Sequence, residues 1–359
     1  MDATRPGRRD EEETQVKAVL YHETGGPDVL QYVDVPDPEP GAADVVIDVA
    51  ATALNRLDVV QRNGWFQMPG FKYPHIAGMD IAGTVAEVGS AVDGLSVGDR
   101  VVLDPSLAGV SEDSKLAGFG DVHGELGVLG ATEDGGYAEK CLVPASHAYP
   151  IPDHVSFEAA ATFPTCWLTA GHALYQAGGL QAGESVMIHA AGSGVSVAAI
   201  QLAKDTGATV LATAGSDEKC ERALGIGADH ALNNRTGDVT AWAREVTAGR
   251  GVDMVFDHVG TALFGPSLFA LAVGGRLVNC GNSSGDEATI PSLGYLYHSG
   301  LRIIGSDPYG PDEMGPLWER FCRGDFEAVI DSEFPLEAAG EAQQKMLESD
   351  FFGKILLKP

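Results

Sequence analysis

A chain of 359 residues, 44% of them hydrophobic, is long enough to bury a core in each of two domains. Its 51 acidic against 23 basic side chains give a formal net charge of −28, which argues against nucleic acid or an anionic membrane as a partner. No window is apolar for long enough to span a bilayer, and residues 1–13 are charged with no apolar leader, so a soluble protein of the reducing cytoplasm is expected.

Residues 1–14 set Arg5, Arg8 and Arg9 against the acids of 10–13 and read as a disordered tail. From there to about residue 150 short strands are broken by Gly and Pro. They fall at 16–21, 29–35, 45–51, 81–88, 100–103 and 137–143, the pattern of a closed, barrel-like β domain. The five cysteines, Cys141, Cys166, Cys220, Cys280 and Cys322, are scattered without C-x-x-C, so no disulfide framework or cysteine zinc site is expected.

The stretch GESVMIHAAGSGVSVAAIQLAK (183–204) changes the pattern. An apolar strand at 186–190 meets a turn of Ala191, Gly192, Ser193 and Gly194, after which Val195, Ala198, Ala199 and Leu202 recur at helical spacing. Such a turn lets the backbone approach a pyrophosphate, and the helix start offers it unpaired N–H groups. Further strands at 209–214, 230–232, 253–257, 276–280 and 301–305 alternate with helices at 217–224, 239–247 and 262–271. An α/β fold with a doubly wound parallel sheet follows, its first βα turn seating a dinucleotide. The second strand ends Thr213, Ala214, Gly215, Ser216 with no acid to hold ribose hydroxyls, whereas Ser216, Lys219, Arg222 and Arg235 can meet a 2′-phosphate. NADP(H) is therefore favoured over NAD(H). FDHVG (256–260) and GGRLVNCGNSSG (274–285) end strands in glycine-rich turns; His258 there reads as structural.

The run 183–204 resembles the signature of the quinone oxidoreductases and related zinc-free members of the medium-chain dehydrogenase/reductase superfamily. EVGSAVDGLSVGDRVV (87–102) and GGYAEKCLV (135–143) are similar to its GroES-like catalytic domain. The resemblance implies a Rossmann-type sheet over 151–305 and a GroES-like β-barrel catalytic domain of 15–150 and 306–359, closed by the strand FFGKILL (351–357). Ala191, Ser193, Gly194 and Val195 would lie on the pyrophosphate, Val259, Gly281 and Asn282 along the nicotinamide half, and Ser216 and Lys219 at the 2′-phosphate. Residues 53–65 would line the cleft.

Zinc-dependent alcohol dehydrogenases of this superfamily carry a Cys at the position of Asn55, a His at Met79, a Glu at Asp80 and a second Cys at Thr165, with Cys166 one place off. An Asn, a Met and a Thr do not hold Zn²⁺, so no catalytic zinc is expected. The loop that binds a second zinc in relatives has Gly109, Glu112, Lys115 and His123 at the ligand positions; a Glu112–Lys115 ion pair or a metal on Glu112, Asp121 and His123 are the alternatives, and the loop is expected to be metal-free. Asn55, Asp58 and Thr165 are the catalytic candidates, with a local ion pair as the other reading of Asp58 and Arg62. Val60 and Phe66 stand where some relatives have tyrosines, which leaves the proton donor unassigned.

Without a metal an unactivated alcohol lacks its main electrostatic help, whereas an electrophilic acceptor does not need it. The expected activity is NADPH-dependent hydride transfer to a small-molecule quinone or enone by a homodimer or homotetramer. A zinc-dependent alcohol or polyol dehydrogenase with an atypical metal site, and an NADPH-binding protein without turnover, are the alternatives. The acid excess resembles proteins of salt-accumulating organisms.

Overall fold

The computed structural model describes residues 15–107, 111–116, 127–307, 309–310 and 312–359. Three strands, β1 (Gln15–Tyr21), β2 (Gln31–Pro36) and β3 (Asp44–Ala53), lead into a short helix, α1 (Arg56–Arg62). β4 (His75–Ile76), β5 (Asp80–Val88), β6 (Arg100–Leu103), β7 (Lys140–Pro144) and β8 (Ala148–Pro150) follow. Helices α2 (Phe157–Ala161) and α3 (Pro164–Gly171) then carry the chain towards a strand-and-helix alternation.

That alternation runs β9 (Ser185–Ile188), α4 (Gly194–Thr206), β10 (Thr209–Ala214), α5 (Asp217–Gly225), β11 (His230–Asn233) and α6 (Val239–Val246). It continues through β12 (Val252–Asp257), α7 (Thr261–Ala270), β13 (Leu271–Asn279), α8 (Leu293–His298) and β14 (Arg302–Gly305). The chain ends with α9 (Met314–Cys322), β15 (Ile330–Pro335), α10 (Ala339–Glu348) and β16 (Lys354–Lys358).

β9 to β14 form one parallel sheet in the order β11-β10-β9-β12-β13-β14, so the α/β, doubly wound expectation holds. Helices cover both faces of such a sheet, which is why Val186, Met187 and Ile188 are all fully buried and the strand reads as an unbroken apolar run. The rest of the strands build a seven-stranded sheet ordered β15-β16-β3-β5-β6-β8, with β7 also on β3, and a three-stranded sheet β2-β1-β4. β16 brings the chain's end back beside its beginning: Leu356 and Leu357 pair antiparallel with Ala53 and Thr52. One apolar core spans both large sheets, from Ala51 and Ala53 through Phe163 and Trp167 to Ile188 and Leu356.

Several boundaries differ from the sequence pattern for local reasons. The strand expected from residue 29 starts at Gln31, because Pro27–Val29 forms a 3-10 turn with Pro at its first position. The strand at 186–190 stops at Ile188, since Ala190 takes a left-handed φ of 51° to turn towards α4. β15 was not expected: Asp331, Ser332 and Glu333 hide it from any apolar alternation, and it is specified by pairing with β16.

Candidate active site

The site forms where four distant segments meet. Asn55 is the N-cap of α1, Asp80 opens β5, Thr165 lies in the first turn of α3, and Lys354 opens β16. Asp80 is fully buried, and its carboxylate is saturated. Oδ1 accepts from the Thr165 N–H at 2.8 Å and the Thr165 hydroxyl at 2.6 Å; Oδ2 accepts from Asn55 Nδ2 at 2.9 Å and Lys354 Nζ at 2.8 Å. Lys354 also donates to Asn55 Oδ1 at 2.9 Å. A carboxylate at the first N–H groups of α3 is favoured by the helix dipole. Burial works to lower the Lys354 ammonium, but the Asp80 carboxylate outweighs it and holds the group above the ordinary lysine range.

Of the expected catalytic residues, the structure brings Asn55 and Thr165 together and places Asp58 behind them. Asp58 is 1% exposed and turned into the protein, accepting from Asn55 N at 2.9 Å and the Tyr137 hydroxyl at 3.1 Å. It is a helix cap rather than a group facing the cleft. The Asp58–Arg62 ion pair is also not formed: Arg62 donates to Gln343 Oε1 at 2.6 Å and to the Gly25 carbonyl.

Burial pushes the Asp58 carboxyl up to about 7, and its Oδ1 has no hydrogen-bond partner. A carboxyl that ionises near 4 when unfolded then binds its proton more tightly in the folded state, so its contribution to stability falls as pH rises from about 4 to about 7. Asp58→Asn keeps an oxygen for both donors and removes that slope. Urea unfolding is expected to show the variant gaining about 2–4 kcal/mol on the wild type between those limits. Parallel stability curves would place the proton elsewhere.

No zinc fits this donor set. Asp80 is the one carboxylate, an ammonium sits beside it, and Met79 is packed in an apolar cluster with Val128 and Ala131. Among the described residues no three His, Cys, Asp or Glu side chains converge as metal ligands. In the second loop Gly109, Asp121 and His123 lie outside the described residues. Lys115 pairs with Glu39, donating to its carbonyl at 2.5 Å and reaching its carboxylate at 3.7 Å, in place of the Glu112 pair considered from the sequence.

The dinucleotide turn lies against the same cluster. Ser193 is the N-cap of α4, and Gly194 begins the helix with its α-carbon tightly enclosed. A Cβ there would meet Lys354 Cδ at 2.7 Å and Cys166 Sγ at 2.8 Å. Gly192 accepts from Gly353 N at 2.9 Å, so the turn is strapped to the residue before Lys354. Ala191 is buried, and Val195 packs half-buried against the core.

At the tip of β10, Ser216 caps α5 by accepting from Lys219 N at 3.3 Å. The Arg235 guanidinium lies beside Gly215, where a Cβ would stand 3.2 Å from its Nε. Lys219 donates to the Ser349 carbonyl at 2.5 Å, and burial draws its ammonium below the usual lysine range. Ser216, Lys219 and Arg235 thus gather at one strand tip, while Asp217 is turned onto Asn233 at 2.8 Å. The donor set and the enclosed glycine fit a phosphorylated dinucleotide.

The ends of β12 and β13 form the other wall. Ser284 N donates to the Val259 carbonyl at 2.8 Å, and Gly281 packs on His258. Asn282 Nδ2 donates to Asp286 Oδ1 at 2.8 Å. His258 meets Ser196 Oγ at 2.8 Å, and since that hydroxyl donates to the His189 carbonyl, His258 Nε2 carries the hydrogen. Burial draws its imidazole down to about 4, so it is neutral at physiological pH.

Lys354 and the bonding role of Asp80 were missed from the sequence. The available signal was a lysine inside the apolar run FFGKILL, since a charge is almost never fully buried unless paired.

Comparison with known proteins agrees with this geometry. Residues 194–323 match the family model of the zinc-binding dehydrogenases, and residues 41–153 that of the alcohol dehydrogenase GroES-like domain. The chain is 31% identical over 327 residues to acryloyl-coenzyme A reductase of Sulfurisphaera tokodaii, covering 91% of this chain and 95% of that one. It is 32% identical over 282 residues to quinone oxidoreductase of Salmonella typhimurium, covering 79% and 77%. Among solved structures, an NAD-dependent alcohol dehydrogenase superposes with a TM-score of 0.89 at 39% identity, covering 96% of this chain and 99% of that one. Escherichia coli quinone oxidoreductase complexed with NADPH superposes with a TM-score of 0.81 at 28% identity, covering 96% and 100%. With relatives above 30% identity along most of its length, this chain belongs to the medium-chain dehydrogenase/reductase superfamily, among homologues of the quinone oxidoreductase type, and is an oxidoreductase.

Proposed function

We propose that the chain reduces a quinone or an α,β-unsaturated carbonyl with NADPH and without a catalytic zinc. The observation that carries this reading is the ammonium of Lys354 bonded to Asn55 and to Asp80, whose carboxylate also takes Thr165, in the place where a metal would need ligands. Bound NADPH supplies the hydride. Ser216, Lys219 and Arg235 hold the 2′-phosphate, and Ala191, Ser193, Gly194 and Val195 line the pyrophosphate at the start of α4. Val259, Gly281 and Asn282 edge the nicotinamide side. Asn55 and Thr165 border the acceptor, and an acceptor that is already electrophilic needs orientation more than Lewis-acid activation. β14 lies at the sheet edge with Ile303 41% exposed, which supports a homodimer or homotetramer built on that edge.

The test is oxidation of NADPH by chelator-treated protein with an aromatic ortho-quinone, with NADH in parallel. Turnover is expected to survive chelation and to favour NADPH. Lys219→Ala is expected to lower kcat/KM for NADPH by about 10- to 100-fold, the worth of a hydrogen bond to a charged group, and to leave NADH within about twofold. The structural similarity to an NAD-dependent alcohol dehydrogenase favours a second reading, alcohol oxidation with NAD⁺. Activity that vanishes on chelation and returns with Zn²⁺ would put that reading first.

A further inference from the structure

The Lys354 ammonium donates to Asn55 Oδ1 at 2.9 Å and Asp80 Oδ2 at 2.8 Å, both inside the protein. The side chain is 5% exposed, and the charges facing it are Asp80 and, more distantly, Asp58. What it controls is Asn55. An asparagine amide can be reversed at little cost in volume, but here the reversal would set its oxygen against the Asp80 carboxylate and its NH₂ against the ammonium. The ion pair thus dictates which end of the amide points where.

Asp80 extends the same control to Thr165. Two of its four bonds come from that residue, so the ammonium that fixes the carboxylate also fixes the first turn of α3. On its other side, the aliphatic stem of Lys354 fills the space under Gly194, against Cys166. One side chain therefore touches the dinucleotide turn and Asn55, and reaches Thr165 through Asp80.

We propose that Lys354 is the positioning cation of this active site, acting through Asn55 and Thr165 to set the acceptor against the cofactor. The inference rests on the hydride-transfer reading. A role in the reaction beyond simple stability requires that the effect fall on kcat and that another cation rescue it.

Removing one charge alone would leave the other buried and unpaired, so the main variant is the neutral double substitution Lys354→Met with Asp80→Asn, measured beside Lys354→Arg. Purified full-length proteins are assayed with NADPH and the ortho-quinone, and with NAD⁺ or NADP⁺ and a primary alcohol. On whichever acceptor the wild type uses, the double variant is expected to lose at least about tenfold in kcat, with KM for the nucleotide within about twofold. Lys354→Arg is expected to recover at least about a third of the wild-type kcat. An unchanged kcat, or a raised nucleotide KM with kcat retained, would overturn the proposal. A wild type that uses the alcohol and not the quinone would overturn the quinone reading alone. A readout independent of turnover is the Asn55 side-chain amide in [15N]asparagine-labelled protein, assigned through Asn55→Asp. Its hydrogen exchange is expected to quicken at least about tenfold in the double variant; unchanged protection would also overturn the proposal.

Discussion

Replacing Gly353 with alanine is expected to lower stability by about 3–5 kcal/mol, among the larger effects of a single methyl group. Gly353 has a φ of +103°, a conformation that side chains rarely adopt, and a Cβ there would stand 2.2 Å from the Val329 carbonyl oxygen. That oxygen accepts from Lys354 N at 2.9 Å, so it cannot withdraw without breaking the start of β16. Gly353 N in turn donates to Gly192 O, which ties the strain to the dinucleotide turn. Gly94→Ala is the control. Gly94 has a φ of +89° but nothing within 4 Å of its would-be Cβ, so it meets only the backbone penalty of about 1–3 kcal/mol. Urea unfolding of both variants separates the terms: equal losses would mean that the approach of Val329 is harmless.

Asp80→Ala is expected to cost about 3–5 kcal/mol, because it leaves the Lys354 ammonium buried without a carboxylate and removes the acceptor from the first turn of α3. Lys354→Met strands the carboxylate instead and is expected to lose a comparable amount. Their combination is expected to lose less than the sum of the two by about 2 kcal/mol or more, since both uncompensated charges then disappear together. Additive losses in the double-mutant cycle, read from denaturant midpoints, would show that the two groups are not coupled.

Much of the nucleotide-binding half was legible in the sequence. Its central strands are buried on both faces, so 209–214 reads as a largely apolar run that matches β10, and the cap at Ser216 marks where α5 begins. The convergence of Ser216 and Lys219 was legible for the same reason, since both stand within one turn after a strand whose tip carries no acid. The β-rich part was harder. The segment 137–139 was expected to be strand, yet β7 begins at Lys140; its backbone still bonds outwards, Tyr137 O to Val19 N and Glu139 O to Val49 N. Asp58 shows the same limit in the site, because a carboxylate next to Asn55 in sequence looks catalytic until Tyr137 and burial are seen to claim it.

What the sequence by itself determined was therefore local and periodic: the alternation that makes the parallel sheet, the turn at 191–194, the helix caps, and the absence of thiolate and imidazole at Asn55, Met79 and Thr165. Only the tertiary structure decided what stands among those residues. Lys354 and Asp80 are 274 positions apart, and nothing in either neighbourhood names the other. Their meeting depends on β16 pairing with β3 in one register and on Gly353 and Gly194 allowing backbone to approach where any side chain would collide. Burial then makes the pair obligatory, because an ammonium and a carboxylate removed from water can remain charged together but not apart.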